Sequence, residues 1–246
     1  MLKKDQISHP HNNVDEKEVA KFTALAHDWR DPNGRFASVL AFNEIRLSYI
    51  TSQLNRYFGG RKLSILDVGC GAGLLTQPLA ELGHYVVGID ANATNIEVAK
   101  FHSRHLHNLS YRHELSHTLL QESQRFDLVL NTEVIEHVPN PAQLLEECGE
   151  LVSAEGMMIV ATLNRTLLSY LVGIVGAEYI LKALPKGTHS WTSFVTPYEV
   201  QKALRSKGFT IGNAQGMTYN PLTKKWRLTH SDKVNYILPA FKNELS

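Results

Sequence analysis

Leu66-Asp67-Val68-Gly69-Cys70-Gly71-Ala72-Gly73 decides how the rest of the 246-residue chain is read. Leu63-Ser64-Ile65 precedes it, so a short apolar, β-branched run enters a glycine loop, and residues 74–82 then read as a helix. The glycines of this strand–loop–helix unit sit where a main chain must approach a ligand closely. Glycine tolerates positive φ and has no Cβ to hold a ligand away. Loop N–H groups and a helix N-terminus suit a carboxylate or phosphate. A dinucleotide fingerprint, G-x-G-x-x-G, needs glycine at position 74, where Leu74 stands; the glycines fall as G-x-G-x-G. The next strand, His84-Tyr85-Val86-Val87-Gly88-Ile89-Asp90, ends in an acid. An acid there accepts hydrogen bonds from the ribose hydroxyls of an adenosine cofactor. The plainer alternative is an acid capping the helix that begins near Asn92.

Preceded by Asp67, the G-x-G-x-G loop resembles motif I of class I S-adenosylmethionine (SAM) methyltransferases. Working outward, strands are expected near 63–68, 84–89, 109–113, 126–131 and 157–163, with helices near 74–82, 92–106 and 141–152. Such alternation builds a Rossmann-like α/β domain on a doubly wound, mainly parallel sheet. Two helices come first. Residues 14–29 carry Val19, Phe22, Leu25, Ala26 and Trp29 at helical spacing, and residues 43–58 carry Ile45, Leu47, Ile50 and Leu54. After a helix at 197–206, strands at 208–211 and 216–228 follow with no helix between them, which suggests an antiparallel pair at the sheet edge. One domain is expected over 14–246. Residues 1–13 are polar, lack the apolar run of a signal peptide and read as a disordered tail.

Lys and Arg number 25 against 24 Asp and Glu, and no long basic stripe appears, so no nucleic-acid partner is expected. Hydrophobic residues make up 43% of the chain, enough for a substantial core. Cys70 and Cys148 do not suggest a disulfide framework and fit a reducing compartment. His102, His105, His107, His113 and His117 straddle a helix, a loop and a strand; they read as solvated surface positions, not as a metal face. Residues 167–184 are almost wholly apolar, interrupted by Glu178 and Lys182 and ended by Pro185. The run is short for a transmembrane helix and carries two charges. It reads either as a lid over the site or as a helix at a membrane interface.

Asn131-Thr132-Glu133-Val134-Ile135-Glu136-His137 follows the strand Phe126-Asp127-Leu128-Val129-Leu130. Ligands bind outside the carboxyl ends of strands in open α/β sheets. One helical turn over 133–137 would project Glu133, Glu136 and His137 on one side, at i, i+3 and i+4. Together they could hold a divalent metal or provide a general base. The alternative is a helix N-terminus with stabilising acids and a histidine bonded to backbone. A metal chelating two catechol oxygens would lower the hydroxyl pKa, and a histidine would remove the proton. Magnesium prefers oxygen ligands and an imidazole better suits zinc, so His137 also stands as the base.

Thr162-Leu163-Asn164-Arg165, Val175-Gly176-Ala177-Glu178-Tyr179-Ile180-Leu181, Pro185-Lys186-Gly187-Thr188-His189, Gly216-Met217-Thr218-Tyr219-Asn220-Pro221 and Asp232-Lys233-Val234-Asn235-Tyr236 occur in that order. With these runs, residues 14–240 resemble the ubiquinone-biosynthesis O-methyltransferases. The resemblance implies SAM as cofactor and O-methylation of a 2-polyprenyl-6-hydroxyphenol and of 3-demethylubiquinol. It places Arg46, Gly69, Asp90 and Thr132 at SAM-contacting positions, beside Gly71 of the loop, and makes Glu133, Glu136 and His137 proposed ligands of Mg2+ or another divalent metal. Glu44 stands where a proline is frequent, and Ser190 where an acid often follows Gly-Thr-His. Also implied are a cytoplasmic protein peripheral to the inner membrane through an insertion at 165–189, an anionic lipid surface and a ubiquinone-biosynthesis complex. Two rivals are a methyltransferase of a soluble small molecule, disfavoured by the apolar segment, and a nucleotide-binding module without catalysis, which leaves the acidic-His run unexplained.

Overall fold

Strand and helix alternate because apolar residues change period along the chain, and the computed structural model follows that alternation. It describes residues 13–26, 28–31, 33–34, 36–171, 191–220, 223 and 225–243. Helices α1 (Glu16–Leu25) and α2 (Ala37–Phe58) lead into β1 (Ser64–Val68), α3 (Thr76–Glu81), β2 (Tyr85–Ile89), α4 (Ala93–Ser103), β3 (Leu109–Arg112), α5 (Ser116–Gln121) and β4 (Phe126–Thr132). Then come α6 (Pro141–Leu151), β5 (Val152–Leu163), the short α7 (Leu167–Ser169), α8 (Pro197–Arg205), β6 (Phe209–Ile211), β7 (Gly216–Asn220), β8 (Lys225–Thr229) and β9 (Asn235–Lys242).

Seven strands form one sheet in the order β3-β2-β1-β4-β5-β9-β6. Pairing is parallel from β3 to β5, and β9 runs antiparallel to both of its neighbours. The side-chain period of two divides the strands between two cores. Leu66, Val68, Val129, Met158 and Val160 pack with α5, α6 and α8 on one face. Ile65, Leu128, Leu130, Ile159 and Ala161 pack with α2 and α3 on the other. Parallel strands covered on both faces read as near-continuous apolar runs, as these do. The parallel register brings the ends of β1, β2 and β4 to one edge, where Val68 lies opposite Ile89 and Asn131.

The strands at 208–211 and 216–228 do not pair with each other as expected. β6 pairs with β9, while β7 and β8 form a separate two-stranded hairpin. The sheet-edge pair is therefore β9 with β6. Pro239 had concealed β9, since proline cannot donate to a ladder. Its carbonyl accepts the Gly212 N–H at 2.8 Å, just past the point where β6 ends. Helix α2 begins six residues earlier than periodicity suggested, at Ala37, in an apolar stretch with no side-chain N-cap. Of the segment at 165–189, residues 172–189 lie outside the described residues, as do 1–12 of the expected tail.

Tyr111 on β3 explains two glycines. A Cβ at Gly88 would lie 2.7 Å from its ring, and a Cβ at Gly73 would collide with its hydroxyl.

Candidate active site

Everything chemical gathers at the carboxyl edge of the parallel strands. A cavity of about 1130 Å³ there is lined by the glycine loop, Asp90, the β4 end, α1, α2 and the β7–β8 hairpin. Gly71 has φ +53°, and a Cβ there would meet nothing within 4 Å, so the loop turns a bare main chain toward open space. Gly69 closes against the other side of the cleft, since a Cβ there would strike Val134.

The loop's N–H groups are largely committed within the protein. Gly69 and Cys70 both donate to the Ile89 carbonyl, at 2.8 and 2.9 Å, and Gly73 donates to the Cys70 carbonyl at 2.9 Å. Gly71 N–H donates to Asp90 Oδ2 at 2.9 Å. The expectation of a row of free N–H donors for an anion is thus corrected. What the loop offers is close approach. Asp90 also accepts the Asn92 N–H at 2.8 Å through Oδ1, and Asn92, not Asp90, caps α4. Enclosure raises the Asp90 pKa from its ordinary value, against the pull of those backbone hydrogen bonds. Asp67, buried beneath the loop, accepts a 2.7 Å hydrogen bond from the Thr76 hydroxyl. Burial pushes its carboxyl up to about 7.

Beyond β4 the chain turns sharply. Glu133 adopts φ +56°, and a single 3-10 turn follows at Ile135–His137. This breaks the helical turn expected over 133–137 and sends the three side chains to separate surroundings. Glu133 pairs with the buried Arg46 of α2, whose guanidinium also lies 3.9 Å over the Phe42 ring. His137 Nδ1 lies 2.8 Å from Glu18 Oε2 of α1, and the Phe22 ring meets the imidazole edge-on. Glu136 is buried, and neither of its oxygens has a hydrogen-bond partner. Burial, then the charge of Glu133, raises its pKa. It faces a smaller cavity of about 690 Å³ shared with Arg165, Thr192 and Glu199. Among the described residues no group of three or more His, Cys, Asp or Glu side chains is arranged to hold a metal ion. Glu133, Glu136 and His137 therefore do not share the single helical turn expected of them, because the left-handed backbone at Glu133 takes it out of the turn.

The hydrogen bond to His137 lowers the Glu18 carboxyl to about 2. Burial would lower the His137 pKa, but Glu18 and the nearby acids outweigh it and raise it. An imidazole held at one nitrogen by a carboxylate has a fixed orientation, as a general base requires.

A family model described as a methyltransferase domain matches residues 66–160. Ubiquinone biosynthesis O-methyltransferases from Chelativorans sp. (strain BNC1) and Pelagibacter ubique (strain HTCC1062) are 43% and 41% identical to the chain. The alignments cover 93% of this chain and 94% of the first, and 94% of this chain and all of the second. The chain belongs to the ubiquinone biosynthesis O-methyltransferase family.

It is a SAM-dependent O-methyltransferase. Its fold is that of the magnesium protoporphyrin IX methyltransferase from Synechocystis PCC 6803, solved with bound SAH, at a TM-score of 0.64 and 18% identity over 91% of this chain and 94% of that one. In the methyltransferase cleft, Arg46, Gly69, Gly71, Asp90, Thr132, Glu133 and His137 all line the main cavity, and Glu136 lies behind them. Sequence reasoning missed Glu18, which is 119 positions from His137 and looked like one charge on an amphipathic helix. It also missed Glu114, Leu115 and Ser116, which line the cavity just after β3. Their signal was available: they follow a parallel strand at its carboxyl end. Of the five histidines expected on the surface, His102, His105 and His107 are exposed. His117 lines the cavity, and His113 Nε2 lies 3.0 Å from the Ala91 carbonyl.

Proposed function

We propose that the enzyme methylates a ring hydroxyl of polyprenyl phenols and quinols, namely a 2-polyprenyl-6-hydroxyphenol and 3-demethylubiquinol, with His137 as general base. The observation that carries this reading is that the Glu18–His137 pair and the Asp90-anchored glycine loop line one cavity. The family's name points to the ubiquinone pathway and so to a phenolic acceptor.

Bound SAM supplies a methyl group on a cationic sulfur, which departs as neutral SAH. The protein's part is to position it and to manage one proton. Asp90 receives the ribose hydroxyls, the bare backbone at Gly71 lets the cofactor approach, and Gly69, Arg46 and Thr132 complete the cofactor side. Positioning the acceptor oxygen in line with the methyl carbon removes much of the entropic barrier. The hydroxyl proton passes to the imidazole of His137 as the oxygen–carbon bond forms, and Glu18 stabilises the resulting imidazolium. Glu133, Glu136 and His137 remain the residues that would hold a divalent ion, which would lower the pKa of the acceptor hydroxyl when bound.

Leu167, Leu168, Tyr170 and Leu171, at the start of the segment 165–189, are exposed, Leu167 at 76% and Leu171 at 57%. Among the described residues no helix is long and apolar enough to cross a membrane. These exposed apolar side chains support a peripheral protein that meets its lipid-borne acceptor at the cytoplasmic surface of the inner membrane. Methyl transfer from labelled SAM to the ring hydroxyl of a short-chain prenyl catechol tests the reaction; no transfer to that acceptor refutes it. Co-sedimentation with anionic vesicles, lost when Leu168 and Leu171 become Ser, tests the membrane contact. Wild-type protein left in the supernatant refutes that contact alone.

A further inference from the structure

A loop built around three glycines at alternate positions gains approach to its ligand at the cost of rigidity. Glycine loses more conformational freedom on ordering than any other residue, so something outside the loop must hold it. The turn that follows α1 supplies a restraint. Arg30, partly buried and apart from the cavity lining, spreads its guanidinium over the outer side of the loop. Nε–H donates to the Ala72 carbonyl at 2.9 Å, Nη2–H to the Gly73 carbonyl at 3.1 Å, and Nη1–H to Gln77 Oε1 at 2.8 Å.

These contacts fall on two successive peptide groups of the loop, each held by one other main-chain hydrogen bond. The Ala72–Gly73 peptide is now fixed at both ends, since Gly73 N–H already donates to the Cys70 carbonyl. The Gly73 carbonyl accepts both Arg30 and the Gln77 N–H, the latter at 3.1 Å, which aligns the loop with the start of α3. Beneath it the chain of contacts continues. The Ser103 hydroxyl bonds Gln77 Oε1 at 3.3 Å and sits 3.3 Å from the Tyr111 hydroxyl. Next to Arg30, Trp29 lines the cavity, with its ring stacked 4.2 Å from that of Phe36. One short turn therefore contributes a cleft wall through Trp29 and a loop brace through Arg30.

We propose that Arg30 is a positioning residue for SAM: it braces the glycine loop from behind through a planar fork on two successive carbonyls, without touching the cofactor. The proposal rests on the assignment of the loop to SAM. The fork matters more than the charge. A lysine ammonium is a compact point charge and reaches one carbonyl where the guanidinium spans two.

The test is calorimetry with SAM, together with steady-state kinetics, on wild type, Arg30→Ala and Arg30→Lys. Ligand-free melting and circular dichroism establish that each variant folds. Wild-type binding of SAM checks the assignment of the loop, independently of any variant. For Arg30→Ala, loss of charge-assisted hydrogen bonds predicts SAM affinity weaker by roughly 10-fold and a matching rise in KM for SAM. kcat at saturating SAM and KM for the acceptor should stay near the wild-type values. Arg30→Lys should fall between the two. Folded Arg30→Ala with unchanged SAM affinity overturns the proposal, as does a loss confined to kcat or to acceptor KM. If Arg30→Ala fails to fold, Arg30→Lys decides: wild-type SAM affinity in that variant overturns it.

Discussion

The glycine loop and the turn after β4 face each other across one cleft, and they are built in opposite ways. The loop is held mostly by its own main chain and by the adjacent strand, with Arg30 as an added brace from outside: Gly69 and Cys70 on Ile89, Gly71 on Asp90, Gly73 on Cys70. The turn after β4 is held by side chains that come from far along the chain, Arg46 to Glu133 across 87 positions and Glu18 to His137 across 119. In the reading proposed above, the cofactor common to a whole superfamily meets the locally built side. On the same reading, the acceptor, which distinguishes one methyltransferase from another, meets His137 on the side that α1 holds through Glu18, while Arg46 serves the cofactor.

If the halves divide the labour in this way, substitutions should separate them. The largest effect belongs to His137→Ala, which should cut kcat by about 10²–10⁴-fold, the range for a lost general base, while calorimetry finds SAM binding intact. Equal losses in kcat and SAM affinity would erase the division. Asp90→Ala should weaken SAM binding by roughly 10- to 100-fold through lost charge-assisted hydrogen bonds, with the fold preserved. Asp67 gives a stability test of the loop side alone. Its folded pKa of about 7 lies above the ordinary carboxylate value, so the fold favours the protonated form. Its contribution to stability is complete below the unfolded carboxylate pKa and is lost as pH rises through about 7. Ligand-free protein should therefore lose Tm as pH is raised across that value, and Asp67→Asn, which can still accept from Thr76, should flatten the slope. The smallest effect is expected from chelation: SAM affinity should not change. Turnover abolished by chelator and restored by a divalent cation would mean that Glu133, Glu136 and His137 regroup in the working enzyme.

The same contrast governs what could be read from the chain. The α/β alternation, the glycine loop and Asp90 were legible because each rests on neighbours in sequence: an apolar run, a G-x-G-x-G spacing, an acid closing a strand. Glu133, Glu136 and His137 were found as residues, but they do not share one helical turn. The i, i+3, i+4 reading assumed helical φ at Glu133, whose backbone is left-handed. Non-glycine residues adopt that conformation uncommonly, and pairing with Arg46 offsets the strain. Glu18 and Arg30 left no local mark, because what they do depends on chain folding back from the N-terminal side. β9 was hidden by Pro239, a residue that argues against a strand unless the neighbouring strand has already ended.

Tyr111 ties the glycine loop to the third strand by packing. Its ring and hydroxyl occupy the space that side chains at Gly88 and Gly73 would need. An alanine at either glycine overfills the site while the tyrosine remains. A small residue at 111 leaves a void while both glycines remain. Every single-step path between these packings crosses a less stable intermediate, so the three positions should drift together or not at all. A residue on the third strand thus constrains Gly73 of the cofactor loop and Gly88 of the second strand, and a side chain placed at either should fail for reasons that have nothing to do with SAM.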